Sequence, residues 1–310
     1  MEVRLSGGDD RNLMERLLEK QIPLSNSCNG KGTCGKCKVR VVSGTITDVT
    51  DTERRLLTEK EVAGHMRLAC MTKARGEVVI ETGEGEEDHV FTTGGVEGHF
   101  ERDADKHGYG LAVDIGTTTV VATLVNMDDG TEGPTYAQIN PQKTYGLDVL
   151  TRITYETEHK EAAISQLQKA IVHGLNEAAT AVCNEAGIEV TEITEIDVAA
   201  NCTMLHMLAG VDARPIGRAP YKPAFTDGQK LKARDLGLVG ATDATVYLLP
   251  SVSAYIGADI VAGVYVCDLR HSPGKTLFID IGTNGELVLE AGGKMYSCSC
   301  AAGPALEGMN

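Results

Sequence analysis

Cys28, Cys34, Cys37 and Cys70 stand in a C-x5-C-x2-C pattern followed by a lone cysteine 33 positions on, inside a glycine-rich, partly basic loop. Two irons need four thiolates around a compact rhomb. Three ligands from one wrapping loop and a fourth from a distant segment is the spacing of a 2Fe-2S cluster site. The interleaved Gly30, Gly32 and Gly35 let the backbone turn tightly and aim its N–H groups at the negatively charged cluster sulfurs. Structural zinc also takes four thiolates, but it usually draws them from two short Cys-x-x-Cys pairs. Here there is one pair, one earlier cysteine and a solitary partner, so the spacing favours iron–sulfur and leaves zinc as the alternative.

The elements around the loop must hold these cysteines. Leu13, Met14, Leu17 and Leu18 share one face of a helix over residues 9–20, with Asp10 or Asn12 available as its cap. Lys38 to Val42 alternates like a strand and ends in a Ser43-Gly44 turn. A second helix is expected over Thr52 to Lys60, and a closing strand over Gly76 to Glu81. This strand-rich module with one packed helix resembles the 2Fe-2S ferredoxins of the β-grasp type, with the five-residue first gap of their adrenodoxin-like branch.

At 310 residues the chain has room for two or three domains. No signal-peptide pattern opens it, which implies a cytoplasmic protein. The count of nine cysteines is odd and four are assigned to the cluster, so a disulfide framework is not expected. Cys183, Cys202, Cys267, Cys298 and Cys300 read as inert, buried or semi-buried thiols. Net charge of −15 argues against nucleic-acid binding, and although that leaves room for a local basic patch, none stands out. The most apolar stretch, Leu248 to Leu269, holds Pro250, Asp259 and Asp268 and fails as a membrane span; it reads as a buried helix entered through Pro250. Residues 81–105 carry nine acidic side chains against one basic, with no hydrophobic period, and read as a solvated linker. The resulting division is a ferredoxin-like domain over 1–83, an acidic linker over 84–108 and a second domain over 109–310.

That second domain opens with Gly110-Leu-Ala-Val-Asp-Ile-Gly-Thr-Thr-Thr119, a strand leading into a sharp turn and a further strand, and the phrase returns at Thr276-Leu-Phe-Ile-Asp-Ile-Gly-Thr-Asn284. Asp114 matches Asp280, Gly116 matches Gly282 and Thr117 matches Thr283. Such an internal repeat implies two related subdomains, each presenting Asp-x-Gly-Thr at a hairpin tip. Two facing tips make a phosphate clamp in which glycine admits the anion, threonine hydroxyls and N–H groups donate to it, and the aspartates hold magnesium through its water shell. The two turns resemble the phosphate-1 and phosphate-2 motifs of the ASKHA superfamily, which includes acetate and sugar kinases and actin. Between them a long helix runs from His159 to Gly187 on Ile164, Leu167, Ile171, Leu175, Ala179 and Val182. Short buried strands are expected at Ile196 to Ala199 and Thr245 to Leu249, giving an RNase H-like layered fold.

A ferredoxin module followed by an ASKHA domain resembles the reductive activators of corrinoid proteins. The phrases that carry the resemblance span nearly the whole chain: Asn140-Pro-Gln142 with Tyr145-Gly-Leu-Asp148 and Arg152, Ala200-Asn-Cys-Thr-Met-Leu-His206, Ser253-Ala-Tyr-Ile-Gly-Ala-Asp259, and Ala302-Gly-Pro-Ala-Leu-Glu-Gly308. Some relatives carry an extra domain before the first phosphate motif, where this chain has only a short linker.

The resemblance implies a protein that returns an inactivated corrinoid from Co(II) to Co(I) with the help of ATP and Mg2+. Its partners would be a corrinoid protein or corrinoid methyltransferase and an upstream low-potential electron donor, with a homodimer left open. Cys28, Cys34, Cys37 and Cys70 would ligate iron. Asp114 and Asp280 would serve magnesium, and Thr117, Thr118, Thr119, Thr283 and Asn284 would serve phosphate beside Gly116 and Gly282. Asp259 would position the attacking water, with a capping or buried hydrogen-bonded aspartate as the alternative. Only 24 residues follow Glu286, so the second subdomain and its adenosine pocket are expected to be incomplete. Two other classes fit the same residues: a ferredoxin-type carrier with a non-hydrolysing partner-binding domain, and a small-molecule kinase with an accessory cluster.

Overall fold

The structure, a computed structural model, describes residues 2–6, 8–20, 22, 24, 30, 32, 33, 35–82, 103 and 105–301. Cys28, Cys34, most of the expected linker and the Ala302–Gly308 phrase lie outside the described residues. The chain divides into two compact units. One holds the N-terminal module together with residues 141–155, and the other holds the remaining elements from residue 105 on.

The N-terminal module comprises β1 (Glu2–Leu5), α1 (Leu13–Glu19), β2 (Lys38–Ile46), α2 (Asp51–Leu56), α3 (Glu59–Ala63), β3 (Met66–Leu68) and β4 (Ala74–Thr82). Its antiparallel sheet runs β1-β4-β2-β3. Leu13 and Leu17 of α1 are fully buried with Val39, Leu68, Val78 and Ile80, and Cys37 and Cys70 belong to the same core. Asn12 caps α1 through a reciprocal box with Glu15.

Two expectations are corrected here. The strand does not end at Ser43-Gly44: β2 continues to Ile46 through register shifts on both sides of that pair. Gly44 has φ +104, and a Cβ there would stand 2.4 Å from the Glu77 carbonyl oxygen. A bulge thus takes the place of the turn. The single helix over Thr52 to Lys60 is in fact α2 and α3, because Leu57 turns extended and Thr58 starts a new cap with Glu61, as Thr50 does with Glu53.

The second unit contains β5 (Tyr109–Ile115), β6 (Thr119–Asn126), β7 (Thr131–Ile139), α4 (Val149–His159), which begins in the first unit, α5 (Glu161–Ala186), β8 (Ile193–Ala200), α6 (Cys202–Ala209), β9 (Gln229–Lys232), α7 (Ala233–Leu236), β10 (Thr245–Leu248), α8 (Ala258–Val266), β11 (Thr276–Ile281), β12 (Asn284–Ala291) and β13 (Lys294–Ala301). The larger sheet runs β7-β6-β5-β8-β10-β9. β5, β6 and β7 are antiparallel neighbours, and β8 and β10 continue parallel to β5, as expected of an RNase H-like layer. The face of α5 formed by Leu167, Ile171, Leu175, Ala179 and Val182 is buried, and Gly187 ends the helix in the left-handed conformation. β11, β12 and β13 form a second antiparallel sheet. Phe278 packs on α8, where a Cβ on Gly263 would meet its ring at 2.6 Å.

The helix expected from Pro250 is displaced. Val252 and Ser253 donate their N–H groups to the Ile256 carbonyl, a tight turn occupies 252–256, and α8 begins only after Gly257. Its end is not buried, since Tyr265 is 78% exposed. Cys183 and Cys202 are buried as expected, whereas Cys267, Cys298 and Cys300 are exposed. Among the described residues no helix is long and apolar enough to cross a membrane.

Glu53 joins α2 to the strand that leads to Cys70. Fully buried, it accepts from Arg67 Nε and Nη2 at 2.9 Å each, from Leu68 N at 3.1 Å and from Thr72 Oγ1 at 3.1 Å. Burial alone would push its carboxyl up, but the Arg67 guanidinium and the Thr50 and Leu68 N–H groups outweigh it and hold the pKa at about 2. A pKa depressed on folding stabilises the module above the unfolded value and loses that contribution as pH falls from 4.5 towards about 2. Glu53→Gln leaves Arg67 buried and unpaired. It should destabilise the module by about 3 kcal/mol and flatten the acid-side loss, both read from urea unfolding followed by visible absorbance across acid pH.

Candidate functional site

Two sites are built from the residues singled out above. In the first, Cys37 lies just before β2 and Cys70 just after β3, and pairing of those strands brings their sulfurs to 3.3 Å although they are 33 residues apart. Both are buried without a disulfide. Gly30, Gly32 and Gly35 all adopt positive φ, as a loop wrapping a cluster requires. Buried, converging thiolate donors fit an iron–sulfur cluster.

The second site lies where the two repeated turns meet. Thr118 Oγ1 and Thr283 Oγ1 share a hydrogen bond of 2.8 Å across 165 residues of sequence. Thr117 and Thr118 are buried, and Thr117 Oγ1 accepts from Asn201 Nδ2 at 3.1 Å. Gly116 sits in a turn so tight that a Cβ would stand 2.8 Å from the Thr119 carbonyl oxygen. In the matching turn Gly282 N donates to the Asn284 carbonyl at 3.0 Å.

Four carboxylates converge beside these turns. Asp114 and Asp280 sit near the ends of β5 and β11, Asp259 is in the first turn of α8, and Glu286 faces Asp280 directly across the β11–β12 ladder. Asp114 keeps access to solvent although protein atoms are packed densely around it. That packing, with repulsion from Asp259 and Asp280, pushes its pKa up to about 7. Burial likewise raises Asp259 to about 6, with Asp280 adding to it. Glu286 is raised to about 7 by burial and by Asp259 and Asp280, against the hydrogen bond it accepts from Ser299 Oγ at 3.0 Å. Among the described residues no three His, Cys, Asp or Glu side chains stand close enough to enclose a metal ion directly, so these carboxylates are neighbours that raise one another's pKa and not a closed ligand set.

Sequence reasoning passed over three participants. Asn201 caps α6 through Met204 N at 3.0 Å while its amide holds Thr117. Asn140 donates to the Gly116 carbonyl at 2.8 Å and, through its backbone N–H, to the Thr118 carbonyl at 2.7 Å. Gly257 admits the approach of α8, since a Cβ there would stand 2.5 Å from both Asn201 Cα and Asp259 Oδ1. The phrases Asn140-Pro-Gln142 and Ala200-Asn-Cys202 were the available signal. His206, given no role above, is structural: its Nδ1 donates to the Cys202 carbonyl at 2.7 Å and its Nε2 accepts from Ala224 N at 3.1 Å. Burial lowers its pKa, in keeping with a neutral ring.

The fold and these sites define a class: a 2Fe-2S ferredoxin module joined to an RNase H-like, ASKHA-type domain. Residues 2–75 match the 2Fe-2S iron-sulfur cluster binding domain, residues 109–272 the RACo middle region, and residues 274–310 the C-terminal domain of RACo, the ASKHA domain. The chain belongs to the RACo family of reductive activators of corrinoid proteins. It is 35% identical over 204 residues to the corrinoid activation enzyme RamQ of Eubacterium limosum, covering 66% of this chain and 34% of RamQ. Over 209 residues it is 23% identical to the [Co(II) methylated amine-specific corrinoid protein] reductase of Methanosarcina barkeri, covering 64% and 37% respectively. Among solved structures it is similar to a reductive activator for corrinoid, iron-sulfur protein, with TM-score 0.64 and 29% identity over 99% of this chain and 63% of that one. The matches thus span about a third of the length of these two curated relatives.

The raised carboxylates carry a pH signature. Groups whose pKa rises on folding stabilise the metal-free protein most in acid and lose that contribution as pH climbs through 6 to 7. A divalent cation bound beside these groups would compete with those protons. Millimolar Mg2+ should therefore raise the melting temperature more at about pH 8 than at about pH 5.5, and Asp280→Asn should remove most of the difference, as read by thermal unfolding.

Proposed function

We propose that this chain is the electron-delivering and phosphate-gripping part of an ATP-dependent activator that returns a corrinoid protein from Co(II) to Co(I). The observation that carries this reading is the meeting of the two Asp-x-Gly-Thr turns at the Thr118–Thr283 hydrogen bond, in a chain whose N-terminal module draws Cys37 and Cys70 together. Cys28 and Cys34 complete the ligand set. A bound 2Fe-2S cluster would supply a one-electron couple, which in plant-type ferredoxins lies near about −400 mV.

The nucleotide half has its own residues. Asp114 and Asp280, with Asp259 and Glu286 beside them, would hold Mg2+ through its water shell, and its charge would relieve their repulsion. Gly116 and Gly282 admit the phosphates to the backbone. Thr117, Thr118, Thr119, Thr283 and Asn284 orient them, and Asn140 and Asn201 hold the first turn in shape. Asp259, on the helix that follows β10, positions the attacking water. Because Thr118 and Thr283 belong to opposite turns, phosphates bound between them alter how the turns meet. Nucleotide state can then favour one docked arrangement on the corrinoid partner over another. Such differential affinity drives an otherwise unfavourable electron transfer, in which each ~59 mV of mismatch costs tenfold in yield.

Anaerobic purification with iron, sulfide and visible-spectrum analysis tests the electron half. About two irons and two sulfides with a dithionite-bleached band are expected, and zinc in their place would sink the reading. In the cobalt assay with a corrinoid partner, Asp280→Asn should lower ATP-dependent Co(I) formation by roughly 10²-fold while leaving the cluster spectrum unchanged.

A further inference from the structure

Two methionines lie against the described part of the cluster loop. Gly30, Gly32 and Gly35 hold positive φ there, and the atoms nearest each glycine show what packs on the loop. A Cβ on Gly30 would stand 2.8 Å from Met14 Cε and 3.9 Å from Cys70 Cβ. One on Gly32 would stand 2.8 Å from Met71 Cε, 3.0 Å from Met71 Sδ and 3.3 Å from Thr52 Cγ2, and one on Gly35 would meet Leu56. No charged side chain is among these nearest atoms. Met66, in β3, is not among them either.

The segment that carries Cys70 holds both methionines in place. Met14 N donates to the Ala69 carbonyl at 3.2 Å and Leu13 N to the Thr72 carbonyl at 2.8 Å, so the first turn of α1 is fixed to the residues flanking Cys70 and Met71. Met71 N donates to the Leu68 carbonyl at 2.9 Å, and Ala69 N to the Cys37 carbonyl at 2.8 Å. Met14 is buried in the core that includes Cys37 and Cys70, and Met71 is half-buried against it. Methionine is a common filler of irregular core gaps. A filler's place suits any apolar side chain of that size, whereas a redox role depends on what the side chain keeps away from the thiolates.

We propose that Met14 and Met71 are the residues that set the reduction potential of the cluster site low, by covering its loop with side chains that exclude water and donate no hydrogen bond. The inference rests on the proposed reading of the four cysteines as cluster ligands and adds the residues that tune them. On reduction the site gains one electron from a low-potential donor, and no bond or proton moves. The reduced form carries one more negative charge than the oxidised form, so an apolar cover penalises it more. Solvent exposure and hydrogen bonds to sulfur are among the levers that set iron–sulfur potentials, and a thioether has no hydrogen to donate. A low potential is also what passing the electron on to cobalt would demand.

The test is a spectroelectrochemical titration of the cluster-loaded chain, with the visible band followed against solution potential. Gln matches Met in length but brings a polar amide with N–H donors. M14Q/M71Q should therefore raise the midpoint, so that at a fixed potential the reduced-to-oxidised ratio rises roughly tenfold, ~59 mV for one electron. Each single Gln variant should give part of that shift, and M14L/M71L, apolar and of similar volume, should leave the midpoint in place. Met71 is only half-buried, so M71Q decides the matter if M14Q assembles no cluster. An unchanged midpoint in M71Q with an intact cluster spectrum overturns the proposal. So does a shift in M14L/M71L as large as that in M14Q/M71Q, since packing or sulfur would then be the cause. An unsubstituted chain without iron and sulfide overturns the proposed function instead, and metal analysis tells the two failures apart.

Discussion

Mutual repulsion among four carboxylates is the constraint around which the second unit is organised. Asp114, Asp259, Asp280 and Glu286 come from three separate elements and a cross-strand partner, and packing of protein atoms around Asp114, Asp259 and Glu286 adds to the repulsion in raising their pKa values. Like charges placed opposite each other on a ladder, as Asp280 and Glu286 are, weaken a sheet. In the proposed function a cation would relieve that repulsion, and the glycines and hydroxyls of the repeated turns would take its anion.

The neutral hydrogen bonds around this cluster hold its geometry against the repulsion. Asn140 ties the end of β7 to the first turn, and Asn201 ties the start of α6 to Thr117. The close approach at Gly257 seats α8, and with it Asp259, against Asn201. Each contact joins segments distant in sequence, so the site depends on the complete sheet being formed. The buried Glu53–Arg67 pair plays the corresponding part in the N-terminal module, where it fastens α2 to the strand leading to Cys70. The same helix packs Thr52 and Leu56 toward Gly32 and Gly35, so one short element links the core ion pair to the thiolate loop.

Much of this was legible in the sequence. The Cys37 and Cys70 part of the cysteine pattern, the capping of α1, the Asp-x-Gly-Thr repeat and the long helix closed by Gly187 all rest on local rules, and they reappear in the fold near their expected positions. The misreadings have physical causes. At Ser43-Gly44 a turn-prone pair met a neighbouring strand close enough to hold it in the sheet as a bulge. Leu57 broke one expected helix into two because its burial and the Thr58 cap outweighed helical continuity. Near Pro250 a Ser253 turn and the Gly257 approach delayed the helix to Ala258. The exposure of Cys267, Cys298 and Cys300 depends on which faces are covered, and alternation along a strand does not specify that.

Residue type and spacing alone determined which chemistry could be read along the chain: thiolates for a 2Fe-2S cluster, and, for the proposed nucleotide site, paired acidic and glycine–threonine turns. These are properties of side chains and of short backbone stretches, so they can be read along the chain. Tertiary structure decided which residues act together. The Thr118–Thr283 bond, the convergence of Asp259 and Glu286 on the aspartates, and the support from Asn140 and Asn201 all span long separations in sequence. Their geometry is set by strand register and helix packing, and their electrostatics by burial, neither of which exists until the chain has folded.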